Sequence, residues 1–149
     1  MLCIRAVKAE DRALYSRLAN EFYHSEAVLH PVSQAHIDAT FCELMRENTY
    51  LDAQIIEYEG EVAGFALRAK TYSQEAGGLV VWLEELYLRP AFRACGLGKA
   101  YITWMLETRD PAVKRFRLEI EEDNLKAKSL YKKSGFAMLD YRQMYIDFD

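Results

Sequence analysis

The run Leu79-Val80-Val81-Trp82-Leu83 constrains this chain more than any other stretch, because an unbroken apolar segment of that length suits a strand covered on both faces. The strand continues through Glu84, Glu85, Leu86, Tyr87 and Leu88. It is expected to stop near Arg89, since Pro90 lacks an amide proton and restricts the residue before it. A loop then leads to Gly96 and Gly98, and Leu97, Tyr101, Trp104 and Met105 recur at helical spacing until Asp110-Pro111. A buried strand, a loop with two glycines and a helix therefore follow directly on one another.

The remaining elements can be read by periodicity. Ile4 and Val7 open a first strand, and Leu14, Leu18 and Phe22 mark a helix over 9–23. Ser33 is positioned to cap a second helix running to about Asn48, with Ile37, Phe41 and Leu44 on one side. The β-rich runs 53–58 and 62–67 flank Glu59-Gly60 as a hairpin. Residues 115–121 alternate strictly, turning Phe116, Leu118 and Ile120 inward. Residues 124–133 form a helix closed by Gly135, and 136–148 are expected to supply terminal strand. The order β-α-α-β-β-β-α-β-α-β predicts an α/β (α+β) fold with a mixed sheet. With 149 residues, 51% of them hydrophobic, and no repeat or linker-like segment, one domain over 1–149 is expected.

Composition narrows the partners. The three cysteines, Cys3, Cys42 and Cys95, are scattered, which gives neither a disulfide framework nor a clustered zinc site. No stretch reaches the ~18 unbroken apolar residues of a membrane span, and the N-terminus turns charged too early for a secretory segment. A cytoplasmic protein without a membrane partner is expected. Nineteen Lys+Arg against 23 Asp+Glu argue against a nucleic-acid surface and fit a cationic ligand better. His24, His30 and His36 are six apart, a spacing that does not stack them on a helix face, so no metal is expected.

Two glycines one residue apart, between a buried strand and a helix, let backbone amides converge without Cβ obstruction. The helix start adds its positive end, and Arg93 or Lys99 adds a mobile charge, so the loop suits a pyrophosphate. Neither the P-loop nor the dinucleotide fingerprint is present.

The segment Leu88-Arg89-Pro90-Ala91-Phe92-Arg93-Ala94-Cys95-Gly96-Leu97-Gly98 resembles the acetyl-CoA loop of the GNAT superfamily, Arg/Gln-x-x-Gly-x-Gly/Ala after a strand. A second family segment is similar to Asn124, Ala127, Leu130, Tyr131, Gly135 and Phe136 at the same spacings. The resemblance covers essentially the whole chain. It implies a mostly antiparallel sheet flanked by helices, whose strand ending at Leu88 splays from the Phe116 strand to admit pantetheine. It further implies that backbone groups around Leu86, Tyr87 and Leu88 meet the pantetheine amides. Arg93, Ala94, Cys95, Gly96, Leu97, Gly98 and Lys99 would hold the pyrophosphate, and Asn124 and Ala127 belong to the same cofactor-binding set. Cys95 stands where relatives often carry glycine or a basic residue, and is read as an inert loop residue. Homodimers are frequent in the superfamily, with no interface legible here.

An alkylamine of pKa near 10.4 is neutral in roughly one molecule per few thousand at pH 7, so deprotonation costs about 4–5 kcal/mol. A base is therefore useful, as is an acid for the departing thiolate. By resemblance Tyr131 is the acid, and Glu84, ranked ahead of Glu85, is the base or amine anchor in the strand Leu83-Glu84-Glu85-Leu86-Tyr87-Leu88. Tyr23, His24 and Glu26 fall where relatives vary their acceptor loop. Lys126, Lys128, Lys132 and Lys133 read as a solvated helix face. The expected activity is metal-free transfer from acetyl-CoA to a small cationic amine by direct ternary-complex attack. A protein N-terminus or lysine, and a non-catalytic acyl-CoA-binding module, are the alternatives.

Overall fold

A computed structural model describes residues 1–26, 28–47 and 50–148, which divide into two compact units, Met1–Glu119 and Ile120–Asp149. The first holds a five-stranded sheet in sequence order: β1 (Leu2–Ala6), β2 (Leu51–Tyr58), β3 (Glu61–Ser73), β4 (Gly78–Leu88) and β5 (Val113–Leu118). Strands β1 to β4 pair antiparallel in turn, and β5 runs parallel to β4. The β2–β3 hairpin turns on Glu59 and Gly60 with φ of 51° and 82°, the left-handed pair that a two-residue turn requires.

Helices α1 (Arg12–Tyr23) and α2 (Gln34–Leu44) bury one face of this sheet. A 3₁₀ turn, Ala9–Asp11, leads into α1, and its buried Asp11 is gripped by Arg5 at 2.7 and 3.0 Å. Ser33 caps α2 by accepting from the His36 amide, and Ile37, Phe41 and Leu44 are buried as their spacing predicts. Helix α2 ends at Leu44, while the expected end near Asn48 lies outside the described residues. In the core Tyr15 packs edge-on against Phe65 at 5.6 Å, and Phe65 lies 6.2 Å from Phe22 and 6.3 Å from Tyr87.

Helix α3 (Leu97–Glu107) serves the opposite face. Its buried Tyr101 donates to Gln54 at 2.7 Å, and Gln54 sits between Ala53 and Ile55, whose side chains point to the α1–α2 core. Gln54 in turn donates to Asp52, which also accepts from Arg68 at 2.6 Å. The buried amide is thus satisfied on both ends, and α3 is keyed to β2.

In the second unit, α4 (Leu125–Lys133) starts at Asn124, whose side chain accepts from the Ala127 amide. It closes with Gly135 at φ 95°; Gly135 N donates to Lys132 O at 3.1 Å and Phe136 N to Tyr131 O at 3.0 Å. The rings of Tyr131 and Phe136 meet at 5.7 Å, completing a Schellman closure with its apolar contact. The expected terminal strand is not formed. Residues 136–148 have no ladder partner among the described residues, and Met144, Tyr145, Ile146 and Phe148 are exposed. Strand propensity becomes a strand only where a neighbour pairs with it.

Candidate active site

Strand β4 changes character halfway along its length. Its partners on β3 run from Gly64 opposite Leu88 to Leu67 opposite Glu85, then jump to Arg68 opposite Leu83. Glu84 is therefore an extra residue, a bulge that breaks the alternation expected of a regular strand. Parallel pairing with β5 ends at Leu83 and Leu118, so beyond Leu83 the second edge of β4 has no strand partner among the described residues.

The backbone along this open edge is oriented. The Tyr87 carbonyl faces β3, lying 1.9 Å from where a Cβ on Gly64 would stand, and the Arg89 amide donates to Ala63 O at 2.8 Å. Peptide groups alternate along a strand, so Leu86 and Leu88 turn theirs to the open edge. There Leu88 O accepts from Arg93 Nε at 3.0 Å.

The bulge separates the two glutamates. Glu85, opposite Leu67, faces the α1–α2 side, where the Tyr23 hydroxyl from the end of α1 donates to its Oε1. Its Oε2 is buried and has no hydrogen-bond partner among the described residues. Burial pushes this carboxyl up to about 7; the Tyr23 hydrogen bond opposes the rise and the Glu84 charge adds to it. Tyr23 is itself raised, first by burial and then by its bond to Glu85, and stays a donor at neutral pH. Glu84 is exposed; partial burial and then the charge of Glu119 raise its carboxyl.

After β4, a short 3₁₀ turn at Pro90–Phe92 leads to the exposed residues Arg93, Ala94, Cys95 and Gly96. Ala94 and Gly96 hold φ of 65° and 75°, and a Cβ at Gly96 would meet nothing within 4 Å. The space over Gly96 is therefore open to a ligand, and the first amides of α3, from Leu97, Gly98 and Lys99, have no carbonyl partner within the helix. An exposed left-handed turn, free amides, a helix's positive end and two basic side chains fit an anion of pyrophosphate size.

Several other predicted residues have structural employment. Asn124 and Ala127 cap α4, and Gly135 and Phe136 close it, so part of the second motif encodes helix ends. Burial raises the Tyr131 hydroxyl, which keeps its proton at neutral pH. His24, His30, His36 and Glu26 are exposed, and no group of three or more potential metal ligands occurs among the described residues. Nor is any helix there long and apolar enough to cross a membrane. The Tyr23–Glu85 contact was not foreseen. The signal available for it was the spacing of Tyr15, Ala19 and Tyr23, four apart on the inward face of α1.

The chain belongs to the acetyltransferase (GNAT) family, whose model matches residues 12–136, and it is an acetyl-CoA-dependent N-acetyltransferase. It is 29% identical to mouse (Mus musculus) thialysine N-epsilon-acetyltransferase over 154 residues, covering 97% of this chain and 89% of that enzyme. It is 30% identical to spermine/spermidine N(1)-acetyltransferase of Bacillus subtilis (strain 168) over 83 residues, 53% of this chain and 55% of that enzyme. The solved structure of AAC(6')-Iy with the bisubstrate analogue CoA-S-monomethyl-acetylneamine superposes with a TM-score of 0.80, covering 100% of this chain and 99% of that one. At 17% identity that likeness is one of fold.

Proposed function

We propose that the protein acetylates a primary amine of a small cationic compound, polyamine-like, lysine-like or aminoglycoside-like, by direct attack on acetyl-CoA without a covalent enzyme intermediate. The observation that carries the acceptor side is Glu85: a carboxylate with one buried oxygen that has no partner among the described residues is costly unless a cation or proton meets it. The relatives named for thialysine and for spermine/spermidine support the same class.

Acetyl-CoA supplies the acetyl thioester. Arg93, Ala94, Cys95, Gly96, Leu97, Gly98 and Lys99 would bind its pyrophosphate through amides and charge, and the open-edge peptide groups of Leu86 and Leu88, about Tyr87, would bind its pantetheine amides. Tyr131 keeps the proton to deliver to the departing sulfur, and Glu84 and Glu85 form the acidic end of the acceptor path. The two units are read as one domain over 1–149, because the family model runs across both.

The test is release of coenzyme A thiol over a panel of linear diamines, lysine analogues, aminoglycosides, peptide N-termini and neutral alcohols. Amine-dependent release with small cations supports the proposal. Release only with peptides moves the acceptor to proteins, and binding of acetyl-CoA without turnover of any amine leaves a non-catalytic module.

A further inference from the structure

Beyond Leu83, β4 has β3 along one edge and no strand partner along the other among the described residues, so its last residues depend on side-chain contacts to stay in place. Arg89 follows the last β3 pair, Gly64 with Leu88, and Pro90 keeps it extended at φ −57° and ψ 146°. Its amide donates to Ala63 O at 2.8 Å, and its guanidinium reaches α1. There Nε and Nη2 donate to the two oxygens of Glu21 at 2.9 and 2.8 Å, a fork that a guanidinium supplies and an ammonium does not. The third donor, Nη1, meets Val62 O at 3.2 Å. This clamp joins positions 68 residues apart in sequence.

The two ends of the clamp are not equally fixed. Glu21 follows the buried Leu18 and Ala19 and precedes Phe22, whose ring lies 6.2 Å from Phe65 and 5.8 Å from Tyr87. Helix α1 is held by the core, which makes Glu21 a fixed post. Arg89 stands instead at the end of its strand, and the 3₁₀ turn Pro90–Phe92 leads from it straight into the exposed residues Arg93, Ala94, Cys95 and Gly96.

We infer that Glu21 and Arg89 are positioning residues for acetyl-CoA: by clamping the end of β4 to α1, they hold the open-edge peptide groups of Leu86 and Leu88 in register with the Gly96 turn. This inference rests on the cofactor site proposed above and deepens it. The two side chains act through the backbone they hold, not by contact with the cofactor. Pantetheine and pyrophosphate belong to one molecule, so the strand edge and the turn must stand at the separation which that molecule spans. A joint free to swing at Arg89 would have to be ordered during binding, and the lost freedom would appear as weaker affinity. The acceptor end is anchored separately, by Tyr23 on Glu85 and by Phe22 in the core, so the clamp acts on cofactor binding and not on the chemical step.

The test is calorimetric binding of coenzyme A to wild type, Glu21→Gln, Arg89→Lys and the double variant, with thermal melting as the folding control. Arg89→Lys keeps the charge and loses the fork. Each single variant should raise Kd about 3- to 30-fold. The double variant should raise it no further than the larger single effect, because either change alone opens the clamp. A partly exposed pair adds little stability of its own, so Tm should fall by no more than about 4 °C. In turnover of a linear diamine, KM for acetyl-CoA should rise with Kd, while kcat at saturating acetyl-CoA stays within about threefold. Unchanged Kd in both folded single variants, effects that multiply in the double variant, or a fall in kcat at unchanged KM would each overturn the clamp and leave the cofactor site standing. Wild type that fails to bind coenzyme A would overturn the cofactor site and the clamp together.

Discussion

Replacing Glu85 by Gln should remove most of one pH-dependent component of stability. The Glu85 carboxyl has an ordinary value of 4.5 and stands at about 7 in the folded protein, chiefly through burial. Between those values the folded chain keeps the proton while the unfolded chain has lost it, so the folded state binds more protons. Stability therefore falls as pH rises through this window and stays lower above it. The displacement is worth about 3 kcal/mol. For a chain of this size about 1 kcal/mol moves Tm by roughly 2–4 °C, which gives a fall of roughly 6–12 °C. Gln accepts from Tyr23 as Glu does but does not ionise, and all other titrating groups are common to both proteins. Melting of ligand-free protein, followed by circular dichroism at about pH 5 and about pH 8.5, isolates the effect as a difference of differences. About 0.8 kcal/mol of this is already lost at pH 5, so between the two conditions wild type should lose roughly 5–10 °C more than Glu85→Gln. An equal loss in both would show that this carboxyl ionises as it does in water, and the argument from its burial would fail.

Tyr131→Phe keeps the ring contact with Phe136 and removes only the hydroxyl, so kcat should fall roughly 10²- to 10⁴-fold with little change in acetyl-CoA affinity; unchanged turnover would assign the thiolate's proton to water. Gly96→Asn tolerates the positive φ but places a side chain in the open space above the turn, and should weaken acetyl-CoA binding by tenfold or more, about 1.4 kcal/mol, at nearly unchanged Tm. Gly96→Val should lose binding and also about 1–2 kcal/mol of stability to backbone strain. Phe65→Ala empties the space between Tyr15, Phe22 and Tyr87, and should cost about 3–5 kcal/mol in denaturant unfolding.

Features legible in the sequence are those set by near neighbours. The Ser33 cap, the Glu59-Gly60 turn, the apolar face of α2 and the halt at Pro90 each depend on a few adjacent residues, and each is present. The glycine turn at Gly96 and the start of α3 were readable for the same reason, since the glycines, the helix and the basic residues are contiguous. The facing of Glu84 and Glu85 was not readable, because a bulge is decided by the register of β4 on β3 and leaves no mark in alternation alone. The sequence reading put Glu84 first; the structure gives Glu85 the enclosed position, and its partner Tyr23 comes from a helix distant in sequence. Residues 136–148 look like strand by composition, yet pairing is a tertiary property and no strand pairs with them among the described residues.

The central claim is that this chain moves an acetyl group from acetyl-CoA directly to nitrogen on a small cation. The most direct measurement is stoichiometry: purified protein, acetyl-CoA and the best linear diamine, with coenzyme A thiol and N-acetylated product quantified together by mass spectrometry. One N-acetyl group formed for each thiol released, with no release above the uncatalysed rate when the amine is omitted, is the predicted result. Thiol release without N-acetyl product, or at the same rate with and without the amine, would contradict it.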